Sequence, residues 1–315
     1  MSSRLETYRV QAYNTAKQSE NKMHDDTVAK RFGFSGGLVP GVDVMAYMMH
    51  LPVAKWGRAF LERGLIEARF VKPVYDGEIA EATADESNGV LSIQVHSRGQ
   101  LCATGTASLP ASAPDVSVGD YKDVAAVAER KPVSATSYEL GKWLGTAPRD
   151  WAGEAAKEYL ADIRETDPIY AREGLGHPGL LQRVMNKALV DNAILGPWIH
   201  VGSRMQLLSA AKSGDVITAR AKVIGNYDKK GHRFVELDAL VVANGQTPVT
   251  IDWDYLQIAY GSEFKSNITW EVTIPADSAV ANNYCQAINA DAPNPFAARL
   301  WKEFLYSDEG QLLWL

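Results

Sequence analysis

Residues 19–26, SENKMHDD, put a histidine, an amide and three carboxylates within eight positions. The imidazole of His24 can take up and return a proton near neutral pH. Glu20 or Asp25 beside it can orient the ring or share a water. Residues 36–41 then read GGLVPG and lead into VDVMAYMM at 42–49, apolar on nearly every face. A helix that is apolar all round has to be buried. Gly36, Gly37 and Gly41 leave its start with little side-chain cover, so backbone N–H groups there can meet a ligand carbonyl or phosphate oxygen. A proton-transfer group beside such a helix start is the equipment of an acyl-transfer or hydration site, and that chemistry is the expectation. Each residue also has a plainer reading. The HDD run serves equally as a helix N-terminal cluster, the glycines as tight packing, and Met45, Met48 and Met49 as core rather than an acyl tunnel.

The elements that must position these groups follow from patterning. Residues 5–16 carry β-formers and read as a strand leading into the polar cluster. After the buried helix, 52–64 (PVAKWGRAFLERG) reads as a short amphipathic helix stopped by a left-handed cap at Gly64. Strand-like runs at 65–74, 78–84, 90–97 and 101–109 are parted by the turn signals DG, SNG and RGQ. A helix followed by an antiparallel meander predicts a sheet curled around that helix, an α+β arrangement. ASAPDVSVGD, at 111–120, is a linker by composition.

The same order returns near residue 121. SENKMH (19–24) aligns with ETDPIY (165–170), and GGLVPG (36–41) with LGHPG (175–179). The apolar run at 42–49 aligns with that at 180–193, and YDGE (75–78) with KSGD (212–215). Strand-like runs continue at 216–224, 232–243 and 247–259. This is the signature of an internal duplication of a unit of about 120 residues. The expected division is a first repeat at 1–112, a linker with the second repeat at 113–262, and an extension at 263–315. Two such units pair their sheets, burying edges and creating a cleft between repeats. His177, in GHPG at the second helix start, is a candidate to line that cleft or to cap the turn. His232 reads as a hairpin residue without a role.

Bulk properties narrow the function classes. A net charge of -6 without a dense Lys/Arg run argues against a nucleic-acid surface. No apolar run reaches the roughly 18 residues needed to cross a bilayer, and the N-terminus has no apolar signal core. The two cysteines, Cys102 and Cys285, lie far apart, and the six histidines are scattered without ligand spacing. Neither a disulfide framework nor a metal site is expected, which fits a reducing, cytoplasmic setting.

NKMHDD, GFSGGLVPG, RFVKPVYDGE, HPGLL, PWIHVGS and KKGHRFVELDALV together resemble the MaoC-like family of acyl-CoA hydratases and dehydratases, over roughly residues 8–260. The resemblance implies a double hot dog, two antiparallel sheets each wrapped around a central helix. It implies a hydro-lyase acting on a 2-enoyl-CoA or 3-hydroxyacyl-CoA thioester, with no metal or redox cofactor, no membrane partner, and a monomer or homodimer as the working state. The family's hydratase motif, Asp-x-Asn-Pro-x-His, places Asn21 and His24 at the Asn and His positions. Ser19 stands at the Asp position and Lys22 at the Pro position, with Glu20 the nearest carboxylate. In the second repeat Glu165, Asp167 and Pro168 match, but Tyr170 replaces the histidine. The site expected on these grounds has His24, Glu20, Ser19 and Asn21 as catalytic residues. Asp25, Gly36, Gly37, Gly41, Glu165 and His177 are expected to bind substrate. Two other readings remain open: a thioesterase using Glu20 or Glu165 to activate water, and a non-catalytic acyl-CoA binder.

Beyond residue 260 the character changes. The stretch APNPFAARLWKEFLYSDEGQ resembles the C-terminal part of periplasmic solute-binding proteins. Phe296, Leu300, Phe304 and Leu305 recur at helical spacing, so a short helical extension is expected there.

Overall fold

The computed structural model describes residues 3–134, 136–150, 154–229 and 232–258; the C-terminal extension lies outside the described residues. In chain order the elements are β1 (Ser3–Arg4), β2 (Tyr8–Gln11), α1 (Asp26–Arg31), α2 (Gly41–Trp56), α3 (Arg58–Arg63), β3 (Leu65–Phe70), β4 (Ile79–Ser87), β5 (Val90–Ser97) and β6 (Gln100–Ser108). They continue as β7 (Trp143–Gly145), β8 (Arg149–Asp150), α4 (Glu154–Asp162), α5 (Ile169–Glu173), α6 (Pro178–Val190), β9 (Trp198–Leu207), β10 (Val216–Lys229), β11 (His232–Ala243) and β12 (Thr247–Ile258).

The strands form one antiparallel sheet in the order β1-β4-β5-β6-β3-β9-β12-β11-β10-β7. Its left half, β4-β5-β6-β3, is repeated in mirrored order by β10-β11-β12-β9. The halves join where β3 pairs β9, from Leu65 opposite Gln206 to Arg69 opposite Gly202. That pairing removes the two edges the separate sheets would expose. Isolated bridges fall at matching places, Leu38 with Tyr75 and Leu175 with Lys212.

The sheet curls over α2 in one half and α6 in the other, which is why both helices can be so apolar. In α2, Met45, Tyr47, Met48 and Met49 are essentially inaccessible. Each large side chain withdrawn from water in this way stabilises the fold by about 1.5–3 kcal/mol. Strand residues alternate to match: in β5, Leu91, Ile93 and Val95 face α2 while Val90, Ser92 and Gln94 are exposed. A second core, built from Val184, Met185, Ala188 and Leu189 of α6, packs on Val223, Val235 and Leu237.

The helix expected over 52–64 is divided differently. Pro52 sits inside α2, which continues to Trp56. A proline removes one helical hydrogen bond, and the surrounding sheet keeps this segment helical. The break comes at Gly57, with φ 55° and ψ -138°, a conformation open to glycine. Gly64 is extended, φ -68° and ψ 150°, rather than left-handed. Glycine is needed there because a Cβ would overlap the Phe60 ring. The strand expected over 5–16 is limited to β2, since the chain turns at residues 15–18 towards the polar cluster. No helix among the described residues is long and apolar enough to cross a membrane.

Candidate active site

The polar cluster folds into two short helical pieces. Asn21 caps a 3-10 turn, Lys22–His24, and Asp25 caps α1 by accepting from the Val28 N–H at 2.9 Å. The turn holds His24 against the loop before α2. Its Nδ1 lies 2.6 Å from the Leu38 carbonyl oxygen. A carbonyl only accepts, so Nδ1 carries the proton and Nε2 of the neutral ring carries the lone pair. Burial lowers the His24 pKa from its ordinary 6.5, partly offset by the Leu38 hydrogen bond, and the lowered value leaves the ring neutral at pH 7.

Asn21 holds His24 from the other side. Its Nδ2 donates to the Trp198 carbonyl at 2.9 Å and lies 3.3 Å from His24 Nε2. Its Oδ1 accepts from the N–H groups of Met23 and Trp198, at 3.3 and 3.2 Å. Trp198 opens β9 of the second repeat, so the amide stitches the repeats together while it orients the imidazole.

His24 and Asn21 line a cavity of about 800 Å³ between the repeats. Its floor is the start of α2. Asp43 and Val44 donate to the Pro40 carbonyl at 3.0 and 3.1 Å, leaving the N–H groups of Gly41 and Val42 without an intrahelical partner. Both residues line the cavity. A Cβ on Gly41 would stand 3.0 Å from the His200 side chain and 3.3 Å from the Phe70 ring, so glycine keeps this wall open. The opposite wall is one face of α6, carrying Arg183, Asn186, Lys187 and Val190.

Of the residues expected from sequence, the cavity brings together Ser19, Glu20, Asn21, His24 and Gly41. Ser19, at the position of the family's aspartate, donates its hydroxyl to the Asn21 carbonyl at 3.3 Å. Glu20 does not orient His24. Its carboxylate takes a bidentate pair from Arg130 at 2.8 and 3.0 Å, which lowers its pKa. Asp25, Gly36, Gly37, Glu165 and His177 lie outside the cavity lining. Gly37 donates its N–H to Asp26 Oδ1 at 2.7 Å and is therefore not free to meet a ligand oxygen. Its lack of a side chain admits the His24 carbonyl, which a Cβ would overlap. Gly36 packs against Asp26 in the same turn.

The second repeat shows what became of the matching cleft. Gly179, aligned with Gly41, has the Tyr159 hydroxyl where a Cβ would be, so Tyr159 covers the start of α6. Tyr159 and Tyr170 are buried, and their rings pack on His177 at 5.7 and 4.8 Å. His177 caps α6, accepting from the Gly179 N–H at 3.0 Å. Glu165 accepts from His50 Nδ1 and from the N–H groups of Thr166 and Asp167, each at 2.7 Å. Burial works to raise its pKa, but the nearby His177, with Nε2 3.7 Å away, and the hydrogen bonds from His50 and the Asp167 N–H win and hold it far below the ordinary carboxylate value. These groups form a polar plug that ties α2, at His50, to the start of α6.

No protein-family model matches this sequence, and no curated protein matches it. Solved structures do match. A protein from Chloroflexus aurantiacus described as a MaoC domain dehydratase aligns with a TM-score of 0.55 at 11% identity, over 81% of this chain and 95% of that one. A conserved hypothetical protein from Mycobacterium tuberculosis, described as having a double hot-dog fold, aligns with a TM-score of 0.54 at 14% identity, over 80% and 95%. The fold is a double hot dog. A structure described as a MaoC-like dehydratase agrees, with a TM-score of 0.50 at 12% identity over 82% and 98% of the two chains. At these identities the likeness concerns architecture alone.

Within this double hot dog, several cavity residues escaped the sequence reading. His200, Trp198 and Phe70 come from β9 and β3, strands 130 residues apart that meet only at the repeat junction. A signal for the α6 wall was present in the sequence. Arg183, Asn186 and Lys187 recur at i, i+3 and i+4 on a helix that is otherwise largely apolar.

Proposed function

We propose that the protein is a MaoC-like hydro-lyase that adds water to, or removes it from, a 2-enoyl-CoA/3-hydroxyacyl-CoA thioester. The reading is carried by one arrangement: an unprotonated His24 Nε2 in a cavity whose floor is the uncovered start of α2. The thioester oxygen is placed at the N–H groups of Gly41 and Val42, which stabilise the enolate that forms as water attacks. Ser19 supplies no carboxylate, so a single base handles both proton steps. Nε2 takes a proton from water as the water oxygen bonds to Cβ, and the Cα=Cβ electron pair moves towards the carbonyl. The resulting imidazolium returns that proton to Cα on the same face. Asn21 holds the neutral ring through a long 3.3 Å contact from its amide N–H to Nε2, which is given up when Nε2 takes the proton from water. The chemistry moves one water and calls for no redox cofactor.

Thioester hydrolysis fits less well. Glu20 is engaged by Arg130, and Glu165 sits in the buried plug, so neither is placed to activate water at a carbonyl. A binding-only role is favoured by one observation, Ser19 at the family's aspartate position. One assay set separates the three, using crotonyl-CoA and longer 2-enoyl-CoAs. Loss of the enoyl absorbance without free thiol is expected. Thiol release would indicate hydrolysis, and neither signal together with retained binding would indicate a binder.

A further inference from the structure

The α6 wall of the cavity holds more positive charge than a simple enoyl chain needs. Arg130, Arg149, Arg183 and Lys187 all line it. Arg130 is matched by Glu20, and Arg183 by the buried Asp43 at 2.7 and 2.8 Å. The other two are matched less closely. Among the described residues Lys187 has no hydrogen bond or ion pair, although it is half-buried. Arg149 pairs with Asp191 over a long 3.8 Å, and its buried Nε has no partner. Burial lowers the Lys187 pKa; Arg149 and Arg130 act the same way, and Asp191 and Glu20 oppose them. Asn186 Oδ1, on the same helix face, is also buried and unpartnered. A half-buried lysine without an ion pair, an arginine Nε without a partner and an unused amide oxygen are suited to a polar molecule rather than to packing.

Its position selects the molecule. Arg183 bonds Asp43 in the first turn of α2, beside the proposed thioester oxygen site, and Lys187 lies one turn further along α6, about 6 Å along the axis. That offset matches the length of a short acyl chain. The phosphates of CoA are the other source of negative charge, but the whole pantetheine arm separates them from the thioester. We infer that the acyl group of the substrate ends in a carboxylate, bound by Lys187 and Arg149, so that the natural substrates are half-thioesters of short dicarboxylic acids. The inference rests on reading His24 and the α2 start as the thioester site.

The test compares binding of glutaryl-CoA and pentanoyl-CoA to the full chain by isothermal titration; both acyl groups are saturated, so affinity is read without turnover. Glutaryl-CoA is expected to bind at least ten-fold tighter, and Lys187→Met and Arg149→Met are each expected to bring the ratio of affinities close to one. Equal affinities in the wild type would overturn the inference. Equal weakening of both esters by Lys187→Met would also overturn it, by assigning the lysine to the CoA phosphates. Hydration of crotonyl-CoA beside equal affinities would sink the carboxylate site and leave the hydro-lyase reading. A kept ten-fold preference without hydration of any enoyl-CoA, mesaconyl-CoA included, would support the carboxylate site and sink the hydro-lyase reading.

Discussion

The side-chain amide of Asn21 pairs with the backbone of Trp198 in both directions, donating to its carbonyl at 2.9 Å and accepting from its N–H at 3.2 Å. The two residues belong to different repeats, and the spare amide hydrogen points at His24 Nε2. The orientation of the base is therefore coupled to the docking of one hot-dog unit on the other.

Asn21→Leu should expose that coupling. It leaves the buried N–H and carbonyl of Trp198 unpaired, which costs about 1–3 kcal/mol each. Thermal melts should show a lower Tm. At a temperature where the variant is fully folded, kcat should still fall, because the imidazole has lost its lateral partner. A lower Tm with unchanged kcat would mean that Asn21 only joins the repeats.

The pH profile follows from the state of His24. The base must be neutral, and burial places its pKa below the ordinary 6.5. Hydration should therefore be at full rate at pH 7 and fall only as pH drops through a value under 6.5. Stability has the same sign. Below the ordinary histidine pKa the unfolded chain binds the proton that the folded site resists, so stability falls as pH falls. An acid limb centred above 6.5 in the dependence of kcat/KM on pH would contradict this.

Glu165 offers a separate test of the plug. Glu165 accepts three hydrogen bonds, and a hydrogen bond to a charged group is worth about 1.5–3 kcal/mol, so Glu165→Ala should lose stability by at least one such step. The Glu165 carboxyl titrates below its ordinary 4.5 in the folded chain. Its contribution is thus present above that value and lost as pH falls further. Urea melts of wild type and Glu165→Ala should differ most near neutral pH and converge under acid conditions. Activity of the folded variant should be retained, since Glu165 lies outside the cavity lining.

Much of this architecture was legible in the residues. The apolar run at 42–49 required a buried helix. The turn glycines Gly89 and Gly99, with positive φ at Asn88 and Arg98 before them, set the two hairpins of the first meander. The spacing of YDGE and KSGD revealed the duplication. The site was legible in part, because His24 and Asn21 lie on one turn while their partners do not. Trp198 and Arg183 are recruited over separations of 177 and 140 residues, to Asn21 and to Asp43 respectively, and no local pattern announces such contacts. Glu165, expected at the substrate from its motif position, lies outside the cavity lining for a related reason. A carboxylate at a motif position looks functional until the tyrosines that close its cleft, Tyr159 and Tyr170, are seen in space. Pro52 marked a helix boundary by local rule, but the enclosing sheet overrode it.

The rate at which His24→Gln hydrates a 2-enoyl-CoA, set against the wild type at pH 7, bears most directly on the proposed chemistry. Glutamine keeps polarity and approximate size but cannot shuttle the proton. The expected result is a wild-type enzyme that consumes the enoyl absorbance and a folded variant slower by about 10²–10⁴-fold, the range of general acid–base contributions. A His24→Gln variant as fast as the wild type would contradict the assignment of His24 as the base.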